Sequence, residues 1–265
     1  MKLLTLPEQA VVKKDFGEIW STKMVRNTMI LVPVIMAVFL PILYLVLICF
    51  VPSNQINGAD QMMKLLPKEA AGFNAQQSMF YLMTNMICPM FFLMIPLMSS
   101  SVSAACSFVG EKERSTIETL LLTPLSVKSI FKAKVLGCIL LSAITTAISF
   151  VAFAIVISVG DIILQMPFFL NWNWLILVLL LAPAITVFGV VFMVLVSGRS
   201  KSYMESIQTS GYIVLPLILL FVGQFTGLFQ LSALLLLFAA AVVVVADFLL
   251  WLFASRLFTP EKLLK

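Results

Sequence analysis

Six stretches of this chain are too long and too apolar for a water-soluble fold to absorb. They lie near Thr28–Val51, Ser78–Ser103, Val135–Val159, Trp174–Val196, Ser210–Phe229 and Leu231–Ala254. A helix needs roughly 20 apolar residues to cross the hydrocarbon of a bilayer. No water reaches the backbone there, so a spanning segment must satisfy its own N–H and C=O groups, and a helix does so. Only 11% of the residues are charged, less than half of the roughly one quarter usual in soluble domains. The expected fold is therefore an all-α polytopic membrane protein with six transmembrane helices. The weakest boundary falls between the fifth and sixth, where Gly223, Gln224, Thr226, Gly227 and Gln230 are the only interruption. A tight outside turn and a pair of broken half-helices both fit that stretch.

Lysine and arginine orient the helices, because they collect on the cytoplasmic side. With six spans, one side holds 15 of the 17 basic residues, and the other holds Lys64 and Lys68. Both termini are therefore expected in the cytoplasm, in a multi-pass protein of the plasma or inner membrane. Glu8, Lys13, Lys14, Asp15 and Glu18 interrupt the place where a signal-peptide core would lie. The expected division is a cytoplasmic or interfacial stretch (1–27), a six-helix membrane part (28–254) and a cytoplasmic tail (255–265) of one transmembrane domain. Val12, Phe16, Ile19, Trp20 and Met24 recur at helical spacing in the first stretch. They predict an amphipathic helix lying in the inner interface. Outside, Pro52–Gln77 suits a short amphipathic helix, and Phe168, Phe169, Trp172 and Trp174 are expected at the outer interface.

Several chemistries are excluded. Histidine is absent, which removes imidazole bases, Ser–His pairs and H-E-x-x-H zinc sites. Cys49, Cys88, Cys106 and Cys138 form no CxxC pair and read as small buried apolar residues. Val159-Gly-Asp161 lacks the first glycine of a G-x-G-D aspartyl site. The basic residues are spread over four juxtamembrane segments rather than one patch, so no nucleic-acid role is expected. No G-x-x-x-x-G-K-[ST] occurs, so the chain has no P-loop to cradle phosphates.

Between the second and third spans lies a charged island, Gly110–Ser126. Ser115 and Glu118 have the spacing of a capping box. A short helix is predicted through Thr116–Leu122, with Ile117, Leu120 and Leu121 on one face, and Pro124 ends it. Ser126 then caps the next helix. Pattern alone fits equally an ordinary juxtamembrane turn whose leucines rest on lipid. The stretch Glu111-Lys-Glu-Arg-Ser-Thr-Ile-Glu-Thr-Leu-Leu-Leu-Thr-Pro-Leu-Ser126 resembles the E-(R/K)-E-x-G-T-x-E-x-L-L-x-(S/T)-P-(L/V)-S segment of ABC-2 type ABC-transporter permeases. Glu111, Glu113, Thr116, Glu118, Leu120, Leu121, Thr123, Pro124 and Ser126 match, while Ser115 stands where glycine is usual. The position after the second of six spans also agrees.

That resemblance implies a permease paired as a homo- or heterodimer, each subunit docking a cytosolic ABC ATPase. The short helix would be a cytoplasmic coupling helix, with Glu111, Glu113, Thr116, Ile117, Glu118, Leu120, Leu121 and Pro124 as the coupling residues. The chain would carry no cofactor of its own; ATP and Mg would sit in the partner. Export of a hydrophobic or amphipathic drug, antibiotic or peptide is implied, and relatives moving sodium, lipid or polysaccharide keep those cargoes open. A secondary carrier would call for several intramembrane charges or inverted repeats. This sequence offers one acid, Asp247, and no repeat. Asn85, Gln224 and Asp247 are the polar residues of the spans that could serve a pathway or the structure. A lone Asp247 favours a structural pair with a basic residue near the inner interface.

Overall fold

The computed structural model describes residues 5–50, 72–114, 116, 125–198, 200, 202–225 and 232–257. Among these the elements are helices only. Helix α1 spans Leu6–Ser21. Six longer apolar helices follow: α2 (Lys23–Phe50), α3 (Ala75–Glu113), α4 (Val127–Ile163), α5 (Trp172–Ser197), α6 (Tyr203–Gln224) and α7 (Ala233–Ala254). The six spans agree with the sequence reading, but several reach further than their apolar cores. α2 starts at Lys23 rather than Thr28, α3 runs on past Ser103, and α6 begins at Tyr203 rather than Ser210. The outer loop's predicted helix and residues 226–231 lie outside the described residues.

Helix α3, at 39 residues, and α4, at 37, would each be more than 50 Å long at about 1.5 Å per residue. A hydrocarbon core is about 30 Å thick, so both helices project well beyond it. α1 packs against the projecting part of α4. We call this end of the bundle the basic end, because the described lysines and arginines belong to α1 or to helix ends beside it. Thr5 starts α1 by donating its N–H to the Glu8 carboxylate at 2.7 Å, which holds Glu8 below the ordinary carboxylate range. Thr22, in extended backbone, ends the helix and turns the chain into α2.

α3 is the hub. Of its most apolar window, 89% is buried, against 17–28% for α2, α4, α6 and α7. Small side chains make that possible, because they let helix backbones approach closely. Ser99, Ser100, Ser101, Ser103, Ala104 and Ala105 are all buried. Gly189 of α5 lies against Ser100, where an added Cβ would stand 2.0 Å from the hydroxyl oxygen. Gly160 of α4 lies under the ring of Phe80 in the same way. Ser142 of α4 donates to the Pro96 carbonyl of α3 at 3.1 Å. Away from the basic end, Phe92, Phe153, Phe169 and Trp174 form an aromatic core, with Phe153 and Trp174 centroids 4.8 Å apart.

Three spans depart from α geometry at four places, beside a proline or in α3's second half. Turns of π-helix occupy Ile35–Phe39, Met83–Ile87, Ala105–Val109 and Leu177–Leu181. Pro41, Pro89 and Pro183 stand two residues after the ends of three of them. A proline ring removes one N–H donor and clashes with the carbonyl four residues earlier. The widened turn gives that ring room and keeps the helix continuous. Two sequence expectations change here. Phe169 and Trp174 turn inward to the aromatic core rather than outward, while Phe168 and Trp172 stay exposed. Cys49 is exposed, and only Cys88, Cys106 and Cys138 are buried.

Replacing Gly189 with Ala drives a methyl group into the Ser100 hydroxyl. The expected loss of stability is about 1–3 kcal/mol, the usual cost of overpacking. Adding Ser100→Ala removes the hydroxyl and leaves the next contact at 3.1 Å, so the double variant should recover most of the loss. Thermal unfolding of the purified protein in detergent checks both.

Candidate functional site

The charged residues at the basic end form one buried network. Lys134 of α4 is 2% exposed. Its ammonium lies 3.1 Å from Asp15 of α1 and 3.1 Å from Glu111 of α3. It also donates to the Ser107 carbonyl at 2.9 Å. Ser107 Oγ in turn donates to Asp15 at 2.5 Å. Lys14, half exposed, closes the network on Glu111 at 2.7 Å. Two ammonium groups thus face two carboxylates, and the buried site carries no net charge. Arg114 and Glu18 add a second pair between α3 and α1. The ring of Phe108 lies 5.7 Å from Lys134 Nζ, within cation–π range.

This geometry revises the reading of α1. Its buried face is Glu8, Val11, Asp15 and Ile19. The Phe16–Trp20 part of the predicted stripe is exposed, with the two rings stacked at 6.2 Å. The acids face protein because Lys134 waits there; the rings are left to face the surroundings. Asp15, Glu18 and Glu111 bring carboxylate oxygens within 4.8 Å of one another, a spacing a metal ion could use. Lysine and arginine already supply the positive charge at that place.

The charged island begins differently from its sequence reading. Gly110 and Glu111 are helical and buried rather than water-facing. Glu113 and Arg114 are exposed, and Glu113 accepts the Tyr203 N–H of α6 at 3.0 Å. Thr116 folds back on the end of α3, its N–H donating to the Glu111 carbonyl at 3.0 Å. Its hydroxyl reaches the same carbonyl at 3.3 Å. Thr116 therefore closes α3. Ile117, Glu118, Leu120, Leu121 and Pro124 lie outside the described residues. Ser126 caps α4 as its position suggested, accepting the Ser129 N–H at 3.2 Å.

The three intramembrane polar residues lie apart from this network. Asn85 is in a π turn of α3, where it donates to the Tyr81 carbonyl at 3.1 Å and accepts from Asn171 at 2.6 Å. Gln224 is buried near the far end of α6, and its amide has no partner among the described residues. Asp247 is also buried, and among the described residues it makes no ion pair. No basic side chain among the described residues pairs with it, and Arg199 and Lys201 lie outside them. Sequence reasoning overlooked Lys134 and Asp15. The usable signal was a lysine directly before an apolar run, opposite an acid on a helix with an imperfect apolar stripe.

Six long apolar helices around a small-residue hub, with an ionic base at one end, define a polytopic α-helical membrane protein. Residues 9–257 match the family described as "ABC-2 family transporter protein", and the chain belongs to that family. It is thus a transmembrane component of an ABC transporter. No curated protein and no solved structure matches the chain significantly.

Replacing Lys134 with Met keeps the bulk of the stem but leaves Asp15 and Glu111 buried without their shared cation. Breaking a buried pair in this way typically costs about 3–5 kcal/mol. Lys14→Met, at the exposed rim, should cost no more than about 1 kcal/mol. Neutralising all three buried groups (Asp15→Asn, Glu111→Gln, Lys134→Met) should restore much of the stability that the single variant loses. Unfolding temperatures of the four proteins check the ranking.

Proposed function

We propose that this chain is the membrane half of an ATP-driven exporter, worked by a separate cytosolic ATPase through the connection between α3 and α4. The observation that carries the reading is the ionic network at the two roots of that connection. Glu111 and Arg114 end α3, Lys134 stands near the start of α4, and α1 binds both sets. A push on residues 115–126 would therefore be delivered to two stiff spans and to α1 together, not dissipated in a loose loop. The match of the island to the permease segment, together with the family, supports a docked ATPase that holds the ATP and Mg. A second permease subunit, identical or sister, would complete the transporter.

In this reading the basic end faces the cytoplasm, in keeping with the Lys and Arg bias. The coupling residues divide into two groups. Glu111, Glu113 and Thr116 hold the root of the connection. Ile117, Glu118, Leu120, Leu121 and Pro124 make the surface offered to the ATPase. A hydrophobic or amphipathic cargo suits the apolar groove of about 140 Å³ between α2 and α3, which Met36, Tyr44, Met83 and Phe91 help to line. Methionine-rich walls adapt to varied apolar shapes.

Glu118→Ala is expected to insert and fold normally yet uncouple the pair. With the ATPase co-expressed, it should lose transport and transport-stimulated ATP hydrolysis together. Retention of both activities in proteoliposomes would remove Glu118 from the mechanism. Failure of any ATPase to co-purify with the wild-type chain would remove the mechanism itself.

A further inference from the structure

At the end of the bundle opposite α1, the turn joining α4 to α5 folds over a cavity of about 190 Å³. One water needs roughly 10–15 Å³ of such space, so the cavity has room for an organic group. Two aromatic pairs stand in its wall. Phe73 and Tyr81 have centroids 5.8 Å apart, and Phe168 and Phe169 are 5.1 Å apart. A carboxylate, Asp161, lines the same space, and no lysine or arginine does so among the described residues. Asp161 Oδ2 accepts the Phe169 N–H at 2.9 Å. Asp161 is 5% exposed, and none of the ion pairs among the described residues involves it.

Polar groups are arranged in the wall as well. Asn171 donates to Asn85 at 2.6 Å, and its own Oδ1 accepts the Trp174 N–H at 3.1 Å. These bonds hold both amides in place. Thr84 lines the cavity too and is 1% exposed, and its buried Oγ1 has no hydrogen-bond partner among the described residues. An orphaned buried hydroxyl costs free energy unless something else satisfies it. Aromatic faces attract a cation through their negative quadrupole. An enclosed carboxylate with no cation among the described residues, rings around it and an unsatisfied hydroxyl beside it together specify one ligand chemistry.

We propose that this cavity binds a small organic ammonium group: the rings receive its apolar substituents, Asp161 its charge, and Thr84 a neighbouring hydroxyl. Along α4, Asp161 lies about 40 Å from Lys134 at 1.5 Å per residue. A bilayer with its headgroups is about 40–45 Å thick. The site therefore falls at headgroup level, open both to a dissolved amine and to the ammonium headgroup of a lipid. The inference concerns binding alone and stands independently of the ATPase reading.

The competing role for Asp161 is to fasten the α4–α5 turn through Phe169. Asp161→Asn separates the two, because it keeps an oxygen for that N–H and removes the charge. The full chain in phosphatidylglycerol nanodiscs is titrated with choline chloride and with dimethylbutanol, the uncharged carbon isostere of choline, by calorimetry. Saturable binding of choline and none of the alcohol is expected. Asp161→Asn should weaken choline at least about tenfold, and Phe168→Leu roughly threefold, with unfolding temperatures kept. Phe168 is 62% exposed, so that variant reads the site even if Asp161→Asn fails to fold. Equal binding of the isostere, unchanged affinity in the folded variants, or no choline binding by the wild type overturns the proposal. Repeating the titration in phosphatidylcholine nanodiscs identifies the source. A lost signal assigns the site to the lipid headgroup, and an unchanged one to a dissolved amine.

Discussion

Lys134 is the residue on which the basic end depends. A buried ammonium is costly to desolvate, and attraction alone returns that cost only when the geometry is good and the remaining protons are bonded. Lys134 meets both conditions through Asp15, Glu111 and Ser107. The consequence is topological. Lys134 on α4 and its partners on α1 and α3 join three different helices, so none of the three can shift without leaving a charge unpaired. A hydrophobic contact would stabilise the same assembly but would tolerate sliding. Discrete ionic partners resist it, as the proposed transmission of force from an ATPase would require.

The rest of the bundle divides between a fixed hub and looser outer helices. α3 is nearly enclosed, and its serines and alanines let α4 and α5 approach closely. By contrast, α2, α6 and α7 leave long apolar faces open, among them Phe39, Leu219 and Phe248. Such faces suit lipid or a neighbouring subunit equally well in physical terms. Three of the four π turns sit where proline would otherwise break the helix. They keep α2, α3 and α5 continuous, so the hub remains packed although its sequence is rich in helix breakers.

The sequence alone disclosed the spans, because twenty apolar residues in a row have few alternatives in water or lipid. It disclosed the island for the same reason: a break in apolarity is loud. What stayed hidden were the pairings across helices. Asp15 reads as a solvated residue of an amphipathic helix until Lys134, far along the chain, is placed beside it. Glu111 reads as part of a water-facing loop until α3 is seen to continue through it. Trp174 and Phe169 read as interfacial rings because composition assigns aromatics to headgroups, whereas packing against Phe153 drew them inward. Periodicity reports which face of a helix is apolar; it does not report whether that face meets lipid or an acid-hungry lysine.

Both polar centres of the molecule depend on the same two helices. α4 carries Lys134 near one end and Asp161 near the other, and α3 carries Glu111 near one end and Thr84 and Asn85 near the other. Between these ends the helices are tied by Ser142 to the Pro96 carbonyl and by the close approach of Phe80 to Gly160. A displacement forced on both helices at the ionic base would therefore change the separation of the far cavity's own walls. Packed side chains at crystal-like density have little slack to absorb it. Such a coupling would rest on ordinary helix stiffness and need no chain of charges through the hydrocarbon, which accords with how few charges the spans contain.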